Sequence, residues 1–220
     1  MTLTPDVVSS LKNNTSEKFS IAIKDNNDKV IGSLVLVQKR DANNTIILDA
    51  LTRWRKKYMK YFLTQFNAST NRTKSWLENI VIPSTDRLLF LILDEDNNLI
   101  GNFGIADILF DRCELDNLIR GEKGGHPKLI YFSELSLLKW LFLEKKVKRV
   151  NLHVFANNLP TIKLHKSVGF VEIGRRKLER VQSKDGAVSF EETQSFSEDN
   201  SIEYLELMLE SNDFNDMYVL

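Results

Sequence analysis

The chain has 220 residues, 42% of them hydrophobic, with thirty basic and thirty acidic side chains in formal balance. That is enough length for one substantial core, and it leaves no global field to draw in nucleic acid or an anionic membrane. The single cysteine, Cys113, excludes an intramolecular disulfide framework, no Cys/His cluster has zinc-ligand spacing, and no long uncharged run could span a bilayer, so a cytoplasmic, metal-free protein is expected.

In chain order, FSIAI (19–23) and VIGSLVLVQ (30–38) read as a strand hairpin across the turn DNND, because β-branched residues dominate both arms. Asn43 or Asn44 is placed to cap a helix in which Ile47, Leu51, Trp54 and Tyr58 recur at helical spacing. A second helix from about Thr70 to Ile80 puts Trp76 and Ile80 on one face and stops before Pro83. LLFLILD (88–94) and LIGNFGIADI (99–108) flank a short polar turn and predict a central antiparallel pair.

ELDNLI (114–119) and the loop RGEKGGHP precede a helix whose face is Tyr131, Leu135, Leu138 and Phe142. VNLHVFA (150–156) then reads as a buried strand. A short helix follows, capped by Asn158, with Pro160 in its first turn and Gly169 at its end. FVEIG resumes strand pattern, and EYLELML (203–209) forms a last strand. The polar stretch 183–201 between them predicts a surface loop, with a lid as the sharper alternative. No internal repeat is present.

Two regions carry candidate chemistry. A glycine-rich loop directly before a helix lets backbone N–H groups approach phosphate oxygens. RGEKGGHPK has that context, with Gly124 and Gly125 free of Cβ and Arg120, Lys123 and Lys128 able to neutralise charge. An ordinary surface turn explains the same residues equally well. The second region is NLPTIKLHKSVGF (158–170), where Thr161 and His165 lie one helical turn apart on one face. Cys113 has no activating neighbour in sequence and reads as a small packed side chain.

The order strand, glycine loop, helix, strand, Asn-capped helix and Gly-Phe resembles the GNAT acyltransferase superfamily over residues 45–180, most strongly over 114–174. The resemblance implies an α/β (α+β) fold, a mixed and mostly antiparallel central sheet flanked by helices. Residues 1–40 would then be an extra N-terminal hairpin before a domain of 41–220. It also implies an acyl-CoA cosubstrate whose pantetheine arm lies along Asn117, Leu118 and Ile119, with a backbone N–H near Leu118 or Ile119 as oxyanion donor. Such a donor is typically worth ~3 kcal/mol.

The same resemblance implies that Arg120, Gly124, Gly125, His126 and Lys128 surround the pyrophosphate. The glycines fall one residue later than the family's usual spacing from Arg120, so individual contacts stay unassigned. Asn158 and Thr161 match the family's second cofactor element. His165 stands where many relatives carry the tyrosine that protonates the departing thiolate. A histidinium with an ordinary pKa near ~6.5 can also donate, and a plain helix histidine remains the alternative.

Attack on a thioester needs a neutral amine, hence a base. His153 is the first candidate. It lies five residues before Asn158, where some peptide N-terminal acetyltransferases of the superfamily have a glutamate, and it alternates away from Leu152 and Val154. Glu114 and Asp116 share one strand face and follow it. A hydrogen-bonded core histidine and a strand-edge charge are the corresponding plain alternatives.

WRKK, the Thr-x-x-Trp-Leu segment, DRLLFLI and ELDNLIRGE resemble a GNAT branch that acylates amines on nucleotide-linked sugars. That implies Arg53, Trp54, Arg55, Tyr58 and Arg72 as acceptor contacts, a dTDP-amino sugar as the partner, and acetyl-CoA or hydroxybutyryl-CoA as donor. Trp54 and Tyr58 also share an apolar face and read equally as core. Acetylation of peptide N-termini and noncatalytic sensing of acyl-CoA are the competing functions. Residues 1–40 are open to three roles: extending the sheet, completing a homodimer or binding the nucleotide.

Overall fold

The computed structural model describes residues 2–14, 16–184, 186–193 and 201–218. Its strands are β1 Ser20–Lys24, β2 Val30–Leu36, β3 Thr64–Gln65, β4 Leu88–Asp94, β5 Leu99–Ala106, β6 Arg112–Arg120, β7 Arg149–Phe155, β8 Val171–Gln182, β9 Val188–Glu192 and β10 Ser201–Glu210. Its helices are α1 Pro5–Asn13, α2 Thr45–Tyr58, α3 Thr70–Trp76, α4 Leu129–Lys139, α5 Leu159–Ser167 and α6 Ser211–Tyr218. All ten strands join one sheet in the order β1-β2-β4-β5-β6-β7-β10-β8-β9-β3. The β6/β7 pair is parallel and the other paired strands are antiparallel. This is the mixed, mostly antiparallel sheet flanked by helices that the sequence implied.

The central strands are apolar on both faces because both faces are covered. Phe90 and Ile92 of β4 pack with Val7 and Val8 of α1, Leu137 and Leu138 of α4, and Phe214 of α6. Leu89 and Leu91 of the same strand face Leu48, Leu51 and Trp54 of α2 and the buried Leu77 and Val81. A smaller cluster of Phe155, Leu178, Val188 and Phe190 closes the β7, β8 and β9 end.

Asn44, one of the two cap candidates, occupies the N-cap of α2, and its side chain accepts from the backbone N–H groups of Ile46 and Ile47 at 3.0 and 3.3 Å. Asn43 instead accepts from Lys74 Nζ. The helix expected over 70–80 is α3 plus a π-helical turn over Leu77–Val81. The wider turn swings Ile80 outward to 51% exposure and buries Leu77 and Val81 in its place, so Trp76 and Ile80 do not share a buried face.

The hairpin β1/β2 extends the sheet, since β2 pairs with β4 from Gly32↔Asp94 to Leu36↔Phe90. Helix α1 was not anticipated. Thr4 caps it by accepting from Val7 N–H, Pro5 fills its first turn, and Lys12 Nζ donates to the carbonyls of Val81 and Ser84 at 2.6 Å each. Burial lowers the Lys12 pKa to about 8.

The surface-loop expectation for 183–201 is corrected at 188–192. There β9 pairs with β8 from Leu178↔Glu192 to Gln182↔Val188 and buries Val188 and Phe190. Residues 185 and 194–200 of the expected loop or lid lie outside the described residues. Helix α6 was also missed; Phe214 anchors it against Phe142, ring centroids 5.1 Å apart.

Replacing Asn44 by Ala removes the acceptor for two helix N–H groups. The expected loss is about 1 kcal/mol of folding stability, read as a lower urea midpoint with an unchanged slope.

Candidate active site

Strand alternation sorts the residues of β6 and β7 between two environments. Cys113, Leu115, Val150, Leu152 and Val154 enter the main core, while Glu114, Asp116 and His153 face the side covered by α2. Burial pushes the Cys113 thiol up to about 12, so it is a packed side chain rather than a nucleophile.

The parallel pairing of β6 with β7 runs only from Arg112↔Arg149 to Leu115↔Leu152. Beyond it, Asn117 adopts φ +50°, and the β5/β6 register slips between Asn102↔Ile119 and Gly104↔Asp116. This bulge bends β6 away from β7, so among the described residues Asp116, Ile119 and Arg120 have strand partners on the β5 side alone. Asn117 N–H and its side-chain amide both donate to the Asp116 carboxylate, and the Asn102 amide donates to the Asn117 carbonyl. Asn117, Leu118 and Ile119, the expected contacts of the pantetheine arm, thus follow the point where the two strands diverge, with Leu118 packed against the main core and Ile119 buried in the α2 cluster.

Before that divergence, His153 Nδ1 lies 2.9 Å from Glu114 Oε1 and Nε2 lies 3.9 Å from Glu206 Oε1. The imidazole stacks on Tyr204 at 5.3 Å with rings 16° from parallel. The hydrogen bond to Glu114 raises the His153 pKa above its ordinary value, and the Glu114 and Glu206 charges add to it against the opposing effects of burial and Arg176. Asp116 is pushed upward by burial, which Arg87 at 2.7 Å opposes. Glu114, His153, Tyr204, Arg176 and Phe190 line a cavity of about 240 Å³. His153 and Glu114 thus meet at this cavity, while Asp116 does not line it and is paired with Arg87.

The glycine loop is fastened to α2. A Cβ on Gly121 would lie 2.0 Å from the Trp54 ring, Trp54 Nε1 donates to Glu122 at 2.8 Å, and Arg53 pairs with the same carboxylate. Arg120 donates to the Gly124 carbonyl at 2.8 Å, and Gly124 and Gly125 both take positive φ. His126 Nδ1 accepts from the Lys128 N–H, and Lys128 stands at the N-cap of α4 with no side-chain cap. The loop therefore ends at a helix terminus whose first N–H groups are not bonded by a capping side chain, an arrangement suited to an anion.

Asn158 stands at the N-cap of α5, where its carbonyl accepts from Ile162. Its side chain makes no capping bond, which leaves the amide available to a ligand. Gly169 at φ +108° ends the helix, and Phe170 N–H donates to the His165 carbonyl. Thr161 is half-buried on this helix. His165 is only 4% exposed, and its Nδ1 meets Glu134 Oε1 at 2.6 Å; Glu134 is fully buried in α4. That contact is inside the α4/α5 interface.

Of the expected acceptor contacts, Trp54 is core, 1% exposed, and Arg53 is engaged with Glu122. Tyr58 packs at the edge of the α2 cluster. Arg55 and Arg72 lie over the aromatic rings of the segment after α2. Residues missed in the sequence are Tyr204, Glu206, Arg87, Arg176 and Glu134. The alternation of EYLELML already puts Tyr204 and Glu206 on one face; nothing local marks the other three. Among the described residues no group of His, Cys, Asp or Glu is arranged to hold a metal, and no helix is long and apolar enough to cross a membrane.

A family model described as an acetyltransferase (GNAT) domain matches residues 34–186. The SPbeta prophage-derived uncharacterized N-acetyltransferase YokL of Bacillus subtilis is 28% identical over 120 residues, 50% of this chain and 62% of that protein. The match thus spans less than two thirds of the relative's length. The fold is similar to a GCN5-related N-acetyltransferase from Brucella melitensis, with TM-score 0.62 and 11% identity over 89% of this chain and 84% of that one. It is also similar to a spermidine N-acetyltransferase from Vibrio cholerae solved with CoA and spermine, with TM-score 0.59 and 18% identity over 82% and 96% of the two chains.

Substituting Gly121 by Ala drives a methyl into the Trp54 indole. The expected cost is about 1–3 kcal/mol, visible as a lower thermal midpoint together with a change in tryptophan emission and weaker CoA binding. Unchanged values on all three would separate the loop from α2.

Proposed function

Because the chain belongs to the GNAT acetyltransferase family, we propose that it transfers an acetyl or short hydroxyacyl group from acyl-CoA to the amine of a nucleotide-linked amino sugar. The observation that carries the reaction is the His153 to Glu114 hydrogen bond of 2.9 Å beside the point where β6 leaves β7. With Nδ1–H donated to the Glu114 carboxylate, Nε2 keeps its lone pair and faces Glu206. The Glu206 charge attracts the substrate ammonium, and Nε2 takes its proton.

The freed amine lone pair attacks the thioester carbonyl carbon and the carbonyl π electrons move to oxygen. A backbone N–H of the Leu118 to Ile119 stretch supports that oxyanion. Collapse re-forms the C=O bond and breaks the C–S bond, and the second proton on the attacking nitrogen passes to the departing CoA thiolate, leaving a neutral amide and free CoA thiol. Acyl-CoA supplies the activated acyl group. The Asn117 to Ile119 edge, the Asn158 amide and the loop before α4 hold its arm and phosphates.

Acetylation of peptide N-termini is a second reading. Glu114, Glu206 and Glu192 around the cleft favour it, since they suit a cationic chain end. Following free CoA thiol with acetyl-CoA and hydroxybutyryl-CoA against dTDP- and UDP-amino sugars and N-terminal peptides decides between them. Turnover confined to the peptides would overturn the sugar acceptor.

His153→Asn is expected to lower kcat by about 10²-fold or more with CoA affinity unchanged; full activity would move the base elsewhere. In the wild type, kcat/KM rises as His153 loses its proton through a pKa above ordinary histidine. Glu114→Gln removes the main cause of that elevation, so the acid limb moves to lower pH, and an unmoved limb would show that another group titrates.

A further inference from the structure

Arg55 and Arg72 share one aromatic ring. The Arg55 guanidinium carbon lies 3.5 Å from the Phe62 ring centroid and 5.2 Å from that of Phe66, and the Arg72 carbon lies 4.7 Å from the Phe66 centroid. Neither guanidinium has a carboxylate within ion-pair distance among the described residues. Arg53, two residues away in sequence, does have one in Glu122. Arg55 donates one N–H to the Thr64 carbonyl at 2.9 Å, and its Nε is buried with no hydrogen-bond partner among the described residues. Burial lowers its pKa to about 10, with the Asp116 charge opposing the shift, so the cation is compensated only in part.

Two guanidinium groups brought to one ring repel each other, and an orphaned buried N–H is costly. A ligand bearing two or more negative oxygens relieves both costs, because guanidinium forks match phosphate oxygens in paired hydrogen bonds. We propose that Arg55 and Arg72, seated on Phe62 and Phe66, form a phosphate site for the acceptor.

The seat borders the reaction cleft. Leu63 lines the His153 cavity, and Thr64, bonded by Arg55, pairs with Ser189 of β9, the neighbour of the cavity residue Phe190. An acceptor would place its amine at His153 and its phosphate against the two arginines. This deepens the acceptor reading above and rests on it for the substrate, while the anion site itself is tested without turnover.

The experiment is calorimetric titration of inorganic pyrophosphate into the full chain saturated with CoA, so that the donor phosphate site is already filled. One pyrophosphate site is expected. Arg72→Gln, an exposed substitution, should weaken it at least tenfold, and Arg55→Gln should do the same; Lys29→Gln on the distant hairpin should leave it unchanged. If Arg55→Gln fails to fold because Thr64 is released, Arg72→Gln decides alone.

No pyrophosphate binding in the CoA complex overturns the proposal, as does equal affinity in the arginine variants. Malonate binding as tightly as pyrophosphate overturns the phosphate assignment in favour of a carboxylate. Arginine-dependent pyrophosphate binding without acylation of any nucleotide-linked sugar supports the anion site and sinks the acceptor reading.

Discussion

The site depends on the place where β6 stops pairing with β7. Parallel pairing ends at Leu115↔Leu152, the left-handed backbone of Asn117 and the slipped β5/β6 register turn the strand aside, and the sheet opens instead of continuing. An asparagine is well suited to that position because its short polar side chain tolerates positive φ. The amide of Asn102 and the carboxylate of Asp116 hold the bulge in place. Everything with chemical potential is arranged around this gap. The unpaired edge of β6 lies within it, the His153 dyad stands on one side, and the glycine loop follows from the end of the same strand.

Charge near the gap is held in matched groups rather than left free. Asp116 has Arg87, and Arg176 reaches both Glu192 and Glu206. His153 has one carboxylate near each ring nitrogen, hydrogen-bonded only at Nδ1, which favours the tautomer with the proton on Nδ1. Against this background the two arginines on Phe62 and Phe66 stand apart. A guanidinium that is partly desolvated and makes no ion pair among the described residues is the exception among these groups.

Packing between helices fixes the remaining parts. Trp54 links α2 to the loop through its ring under Gly121 and its N–H on Glu122, so the expected substrate aromatic is a support for the glycine loop. Glu134 ties α4 to α5 through His165, a buried pair whose separation would leave an uncompensated polar group inside the fold. Lys12 similarly ties α1 to the turn after α3.

Much of the fold is legible locally. The apolar runs of β4 and β5, the alternating run of β7, the Asn44 cap, and the glycine after α5 each carry a pattern or a backbone requirement within a few residues. Helix α1 is equally marked, by Thr4 at its cap and Pro5 and Asp6 in its first turn. Strand β9 was hidden because VSFEE is short and enclosed in polar sequence, and it becomes a strand only where β8 supplies its partner.

The sequence by itself determined the order of strand, glycine loop, helix and Asn-capped helix, since that order is a backbone property written in consecutive residues. Tertiary structure alone decided the partners. Glu114 meets His153 across 39 positions and Glu134 meets His165 across 31, and which carboxylate reaches which imidazole is set by strand register and helix packing, for which no local spacing exists.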